Sequence, residues 1–319
     1  MDTPPRIAHD GGVRTQIQAP SAVVMVRPHH FTPNPETAAD NAFQLPRPEI
    51  NAEAFEARAL REVDAVARTL MEHGVRVHVF DDLTRDTPDS VFPNNWFSTH
   101  QGGRIAMYPM AAPSRRGERR SDVIEMLKRE YRVQEVIDYS GLEADGLFLE
   151  GTGAMILDHA ERVAYVGAST RADPIILERF CTHFGFEPMV FENRDPAGHP
   201  IYHTNVILSI GTEFALLCTE VMTDAERRDE IVARLRDSGR DVIDISWQQV
   251  TEFAGNGMEL TGSAGRFYAC SARAAASYTP EQRERIEASA PVVAIDVPTI
   301  ELAGGSVRCM LAGIHLSRR

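Results

Sequence analysis

Along most of this chain, apolar and polar residues alternate in short runs that come in pairs bounded by turn residues. NWFSTH (95–100) is followed by RIAMYPM (104–110), GAMILD (153–158) by RVAYVGA (162–168), NVILSI (205–210) by EFALLCT (213–219), and MELTG (258–262) by RFYACSA (266–272). Each pair reads as a β-hairpin. A helical pattern follows each one, over 117–130, 172–183, 224–237 and 280–289, and Asp173-Pro174 and Thr279-Pro280 supply an N-cap and a first turn. Each helix leads into a further strand: VQEVIDY, EPMVFEN, DVIDISW and VVAIDV. The unit is therefore strand, strand, helix, strand, repeated four times.

Aligning the first strand of each hairpin brings Glu150 in LEGTGAMIL, His203 in YHTNVILSI, Asn256 in AGNGMELTG and Cys309 in SVRCMLAGI into one column, each 53 residues from the next. Repeated units of this kind stack around an axis, and equivalent positions in a closed ring face one centre. The unit that begins at Cys309 ends too soon for its second strand and helix. The missing parts are at the other terminus: strand AVVMVRP (22–28), helix 51–73 with Phe55, Ala59, Val63, Val66 and Leu70 on one face, and strand VRVHVF (75–80). The expected fold is thus α/β, a five-bladed pseudo-symmetric α/β propeller, with its ring closed by pairing of the N- and C-terminal strands. Residues 1–20 are expected to form a flexible extension and 21–319 a single catalytic domain. Segment 29–50, rich in Pro and Asn, reads as a long loop near the ring opening, a common form for a lid.

Composition narrows the chemistry. The 319 residues are 43% hydrophobic and carry a net charge of −13, which disfavours nucleic acid as a partner and favours a small molecule. No apolar stretch approaches a membrane span, and the first residues lack the pattern of a signal peptide, so a cytoplasmic protein is expected. The four cysteines, Cys181, Cys218, Cys270 and Cys309, have neither metal-site spacing nor a disulfide framework. No metal is expected. Three of them are expected to be inert core, whereas Cys309 shares a column with an imidazole and a carboxylate. A thiolate is a strong nucleophile, and His203 is suited to shuttle its proton. Glu150 is placed either to orient that imidazole or to hold a substrate N–H. Asn256, between two glycines, reads first as a turn residue and second as a substrate contact.

These segments resemble the guanidino-group-modifying superfamily, the pentein fold, which includes arginine deiminase, dimethylarginine dimethylaminohydrolase and the amidinotransferases. LEGTG, YHTN and GGSVRCM look like its three catalytic segments, PDSVFPNNWF (88–97) and APSRRGE (112–118) like two stretches of the dimethylarginine hydrolases, and STRAD (169–173) like an arginine-bearing turn. The resemblance implies Cys309 as nucleophile, His203 as general acid and base, and Glu150 as orienting carboxylate, with no cofactor. It further implies that Arg115 and Arg171 hold the substrate α-carboxylate and that Asp89 meets its α-amino group. The neighbouring Arg116, Arg119 and Arg120 read as a solvated basic face.

Three positions depart from the deiminase pattern, where acidic residues face a cationic guanidinium: Asn94, Asn95 and Asn205. An amide both donates and accepts, which suits a neutral ureido group, whereas an ionised carboxylate only accepts. This favours hydrolysis of a ureido amino acid, citrulline being the natural candidate, and the chain is similar to the citrulline-utilisation hydrolases, in which NNWFS is typical. The alternatives are an arginine or methylated-arginine hydrolase, an amidinotransferase, and a non-catalytic binding propeller. A homo-oligomer is left open.

Overall fold

The computed structural model of the chain describes residues 18–48 and 51–319. Strand β1 (Ala22–Pro28), helix α1 (Ala52–Glu72) and strand β2 (Arg76–Asp82) come first. Four hairpin units follow: β3 (Phe97–His100), β4 (Arg104–Met107), α2 (Ser121–Glu130) and β5 (Glu135–Asp138); then β6 (Met155–Asp158), β7 (Val163–Gly167), α3 (Pro174–Phe184) and β8 (Glu187–Phe191). The third has β9 (Leu208–Ile210), β10 (Phe214–Leu217), α4 (Ala225–Asp237) and β11 (Asp241–Asp244), and the fourth β12 (Met258–Gly262), β13 (Gly265–Ser271), α5 (Pro280–Glu287) and β14 (Val292–Ile295). Strand β15 (Ala312–Gly313) closes the series.

The strands form five three-stranded sheets of one pattern, with a central strand antiparallel to its hairpin partner and parallel to the strand after the helix. The pairing expected between the two chain ends is present: β15 runs antiparallel to β1, with Val23 opposite Gly313 and Val24 opposite Ala312, and β1 runs parallel to β2. Each helix lays one apolar face on its sheet. Helix α1 buries Phe55, Ala59, Val63, Val66, Ala67 and Leu70, the stripe expected from its 3.6-residue period, against Val23 and Met25 of β1. Its N-cap is Asn51, whose side chain accepts from Glu53 N at 2.7 Å. Asp173 and Thr279 cap α3 and α5 in the same way, Thr279 as part of a capping box with Gln282.

Two expectations change. The helix expected over 117–130 starts only at Ser121. A separate turn, Pro113–Arg116, precedes it, and Arg120 is extended between the two. The break lets Glu118 turn inward onto Arg115. The first hairpin strands also start later than their alternation suggests, because Pro93–Asn95, Gly151–Ala154 and Thr204–Val206 form single helical turns ahead of β3, β6 and β9. Residues 307–310 make a matching turn ahead of β15. Glu150, His203 and Cys309 therefore lie at turns rather than within strands.

Of the extension expected over residues 1–20, residues 1–17 lie outside the described residues. Gln18 is buried, donating to the carbonyls of Leu157 and Ile210, both at 3.2 Å, and accepting from His159 N at 2.9 Å. Among the described residues, no helix is long and apolar enough to cross a membrane.

Candidate active site

The column of the sequence repeat is a cluster in space. Glu150 precedes its helical turn as the N-cap residue, and His203 stands at the same place before Thr204–Val206. Their side chains meet, His203 Nε2 donating to Glu150 Oε2 at 2.8 Å. Two units further on, the Cys309 sulfur accepts from Asn205 Nδ2 at 3.1 Å and Asn256 Nδ2 at 3.2 Å. Asn256 is fixed in turn, since its Oδ1 accepts from Arg308 N at 3.1 Å. Beyond its backbone turn, it is a direct partner of the sulfur.

Glu150 is enclosed and heavily engaged. Oε2 also accepts from Arg171 Nη1 at 3.2 Å and Arg115 Nη1 at 3.4 Å, and Oε1 accepts from Ala111 N at 3.1 Å. Burial alone would push its carboxyl up, but Arg171, His203 and Arg115 together hold it well below the usual carboxylate range. Burial also dominates at His203 and lowers its imidazole to about 4 despite Glu150, so the ring is neutral at ordinary pH. With Nε2–H directed at Glu150, Nδ1 is the nitrogen that carries the lone pair. Gly153 makes room beside it: a Cβ there would come within 2.8 Å of Nδ1. No hydrogen bond joins Cys309 to His203. The sulfur accepts from the two amides, and the imidazole donates to the carboxylate.

Arg115 does not present an open fork. Its Nε and Nη2 donate to Glu118 Oε1 and Oε2 at 2.9 and 3.0 Å, and Asp89 Oδ2 lies 3.7 Å from Nε. With its amide oxygen turned toward the guanidinium, Asn95 accepts from Nη1 and Nη2 at 3.1 and 3.0 Å. Burial pushes the Glu118 carboxyl up to about 8, since Asp89 and Glu150 crowd the same cation. Glu118 lies within the quoted APSRRGE stretch, and its place three residues after Arg115 was the signal for this pair. Asp89 is buried too. Asn34 donates to its Oδ2 at 2.9 Å, while Oδ1 has no partner. Asn94 is fully buried in the Pro93–Asn95 turn, where its carbonyl accepts from Thr152 Oγ1 at 3.1 Å. Asn205 keeps a buried Oδ1 without a donor. Arg171 reaches Asp40 through Nε at 3.0 Å and through Nη2, and its guanidinium carbon lies 5.0 Å from the centre of the Tyr202 ring.

The loop expected as a lid crosses this cluster. Phe43 packs 5.7–6.2 Å from the rings of Trp247, Phe253 and Tyr202. Leu45 N donates to Leu302 O at 2.9 Å and Asn41 Nδ2 to Ala303 O at 3.2 Å. The glycine pair before Cys309 serves packing. Gly304 (φ +80°) abuts the Asn41 side chain and Gly305 the Phe92 ring, and a Cβ on either would overlap its neighbour.

The remaining expectations divide. Cys181, Cys218 and Cys270 are buried, and burial pushes each thiol up to about 12. The solvated basic face is only partly so: Arg119 is largely buried and paired with Glu143, and Arg120 pairs with Asp122. Among the described residues, no group of three or more His, Cys, Asp or Glu side chains is arranged to hold a metal ion.

Five small mixed sheets and a buried cluster of cysteine, imidazole and carboxylate fit the guanidino-modifying pentein superfamily, and solved structures agree on the fold. The N-terminal domain of ArgZ, an arginine dihydrolase from the ornithine-ammonia cycle in cyanobacteria, superposes with a TM-score of 0.71 at 17% identity, over 92% of this chain and 97% of that domain. The chain spans 40% of the length of intact ArgZ. DDAH from Pseudomonas aeruginosa, solved with citrulline, superposes with a TM-score of 0.61 at 17% identity, over 94% of this chain and 100% of its own. AgrE, solved with L-arginine, gives 0.72 at 17% identity over 93% of this chain and 40% of that one. By sequence, residues 27–316 match the family described as N,N dimethylarginine dimethylhydrolase, eukaryotic, and the chain belongs to that family. No curated protein shows significant sequence similarity to it. That family is one of hydrolytic enzymes acting on C–N bonds.

Proposed function

We propose that the five sheets surround one centre as a closed propeller of a single domain and that this centre hydrolyses the ureido C–N bond of citrulline or a similar ureido amino acid. The observation that carries the reading is the neutrality of the groups at the sulfur. Asn205 and Asn256 both spend an N–H on Cys309, and Asn205 leaves a buried carbonyl oxygen free to accept from a substrate NH2. A guanidinium would need ionised acceptors at this point, and Glu150 and Glu118 are committed to arginines.

In the proposed reaction Cys309 attacks the ureido carbon, and a proton moves through His203 Nδ1 to the departing δ-amine, releasing ornithine and leaving an S-carbamoyl enzyme. The Asn205 and Asn256 amides, which donate to the sulfur, stabilise the developing oxyanion. Water, deprotonated at the same Nδ1, then cleaves the thioester-like C–S bond and frees the thiol. The carbamate decomposes to ammonia and carbon dioxide. Glu150 fixes the imidazole, and Arg171 and Asp89 take the α-carboxylate and α-amino groups. Arg115, with its fork on Glu118, acts on that carboxylate only through Nη1 or by releasing its partner. The family match, to N,N dimethylarginine dimethylhydrolases, favours a guanidino substrate instead. AgrE was solved with L-arginine.

Turnover of citrulline, arginine and dimethylarginine, with ornithine, citrulline and ammonia quantified, separates the two. Faster turnover of arginine than of citrulline overturns the preference. Cys309→Ser is expected to lower turnover of any substrate by at least about a thousandfold while leaving the melting transition in place. Activity retained in that variant removes the covalent mechanism.

A further inference from the structure

We propose that Asp40 occupies the seat of the substrate's α-carboxylate on Arg171 and so restricts the site to ligands that carry a carboxylate of their own. The inference rests on the reading that Arg171 receives that group. Arg171 is held on two sides by the protein, by Glu150 through Nη1 and by the face of Tyr202. Its remaining edge, Nε and Nη2, is forked by both oxygens of Asp40, the geometry that a bound amino-acid carboxylate adopts on a guanidinium.

The two partners have unequal surroundings. The Arg171 side chain is 3% exposed and that of Asp40 42%, so the acid reaches a buried cation from the outside. Asp40 stands at the end of the small-residue turn Thr37-Ala38-Ala39. A cavity of about 360 Å³ lies beside it, bordered by Ala38, Ala39, Ser169 and Tyr202. The loop does not depend on Asp40 for its anchorage, which comes from Phe43, Asn41 and Leu45 on one flank and from Asn34 on the other. Asn34 touches Asp89 yet leaves Oδ1 free, so the expected ammonium seat is open while the carboxylate seat is filled.

Selectivity follows from desolvation. A buried guanidinium stripped of its partner is costly, so a ligand enters only if it returns an anion to Arg171. An amino acid exchanges one carboxylate for another. A neutral urea or a diamine offers nothing in exchange.

The test is calorimetric titration of wild type, Asp40→Ala and Asp40→Asn with L-ornithine and with 1,4-diaminobutane, the same molecule without the carboxylate. Removing the competitor should tighten ornithine binding by about tenfold, as expected if the seat is filled about nine-tenths of the time, and leave the diamine unchanged. Should either variant fail to fold, hydrogen exchange of the wild type reads the same event: ornithine, but not the diamine, should speed exchange across residues 37–41. Ornithine binding that is unchanged, weaker or absent in the variants, an equal gain for the diamine, or no change in exchange overturns the proposal. Tighter ornithine binding without citrulline turnover would sink the ureido reading alone, and citrulline turnover without tighter binding would sink this one alone.

Discussion

Around His203 the hydrogen-bonding partners are ionic: Glu150 accepts from the imidazole N–H, and Arg171 and Arg115 donate to the same carboxylate oxygen. Around Cys309 the hydrogen-bonding partners are neutral, two side-chain amides, and Asn256 also donates to the main-chain carbonyl of Asn205 at 3.3 Å. The charge of the first half is internally paired around the imidazole. The second half is polar without charge. A cluster can therefore be strongly ionic in total and still be neutral in its hydrogen bonds to the sulfur.

The largest effect is expected from breaking the ionic half. Glu150→Gln leaves two buried guanidiniums sharing one neutral acceptor, and the folded state should lose about 3–5 kcal/mol, read from the denaturation midpoint. A loss below about 1 kcal/mol would mean that the arginines are held by their other partners. Next comes Asn205→Asp, which puts a charge beside the sulfur. It should lower kcat/KM for citrulline by about ten- to a hundredfold and narrow the gap to arginine. Equal effects on both substrates would show that the amide's neutrality does not set the choice.

The smallest is a pH effect. Because burial lowers His203 from its ordinary 6.5 to about 4, the acid limb of kcat/KM should fall near pH 4 and not near 6.5. The same shift has a stability sign. The unfolded chain binds more protons between the two values, so this contribution is complete above about pH 6.5 and is lost as the pH falls through about 4. An acid limb near 6.5 would place His203 in a wetter environment.

The parts legible in the sequence were those written locally or by regular spacing. Hairpin alternation, N-caps such as Asp173 and Thr279, and the 53-residue interval gave the five sheets and brought Glu150 to His203. The helical turns ahead of β3, β6 and β9 were hidden because their apolar residues, Val206 and Ile207 for instance, run without a break into the strand that follows. The partners of the arginines were hidden for a different reason. Asp40 meets Arg171 across 131 positions of chain, from a loop with no periodicity to read. Spacing predicted which residues converge, but not which of them would already be paired.

The antiparallel pairing of β15 with β1 makes the position of the thiol a property of two distant segments. Cys309 lies three residues before β15, and β15 is held by Val23 and Val24 of β1. Strand β1 thus acts on the sulfur through the short strand it anchors. No local motif around Cys309 records that dependence, so a change at the β1 edge reaches the sulfur from the far side of the sequence.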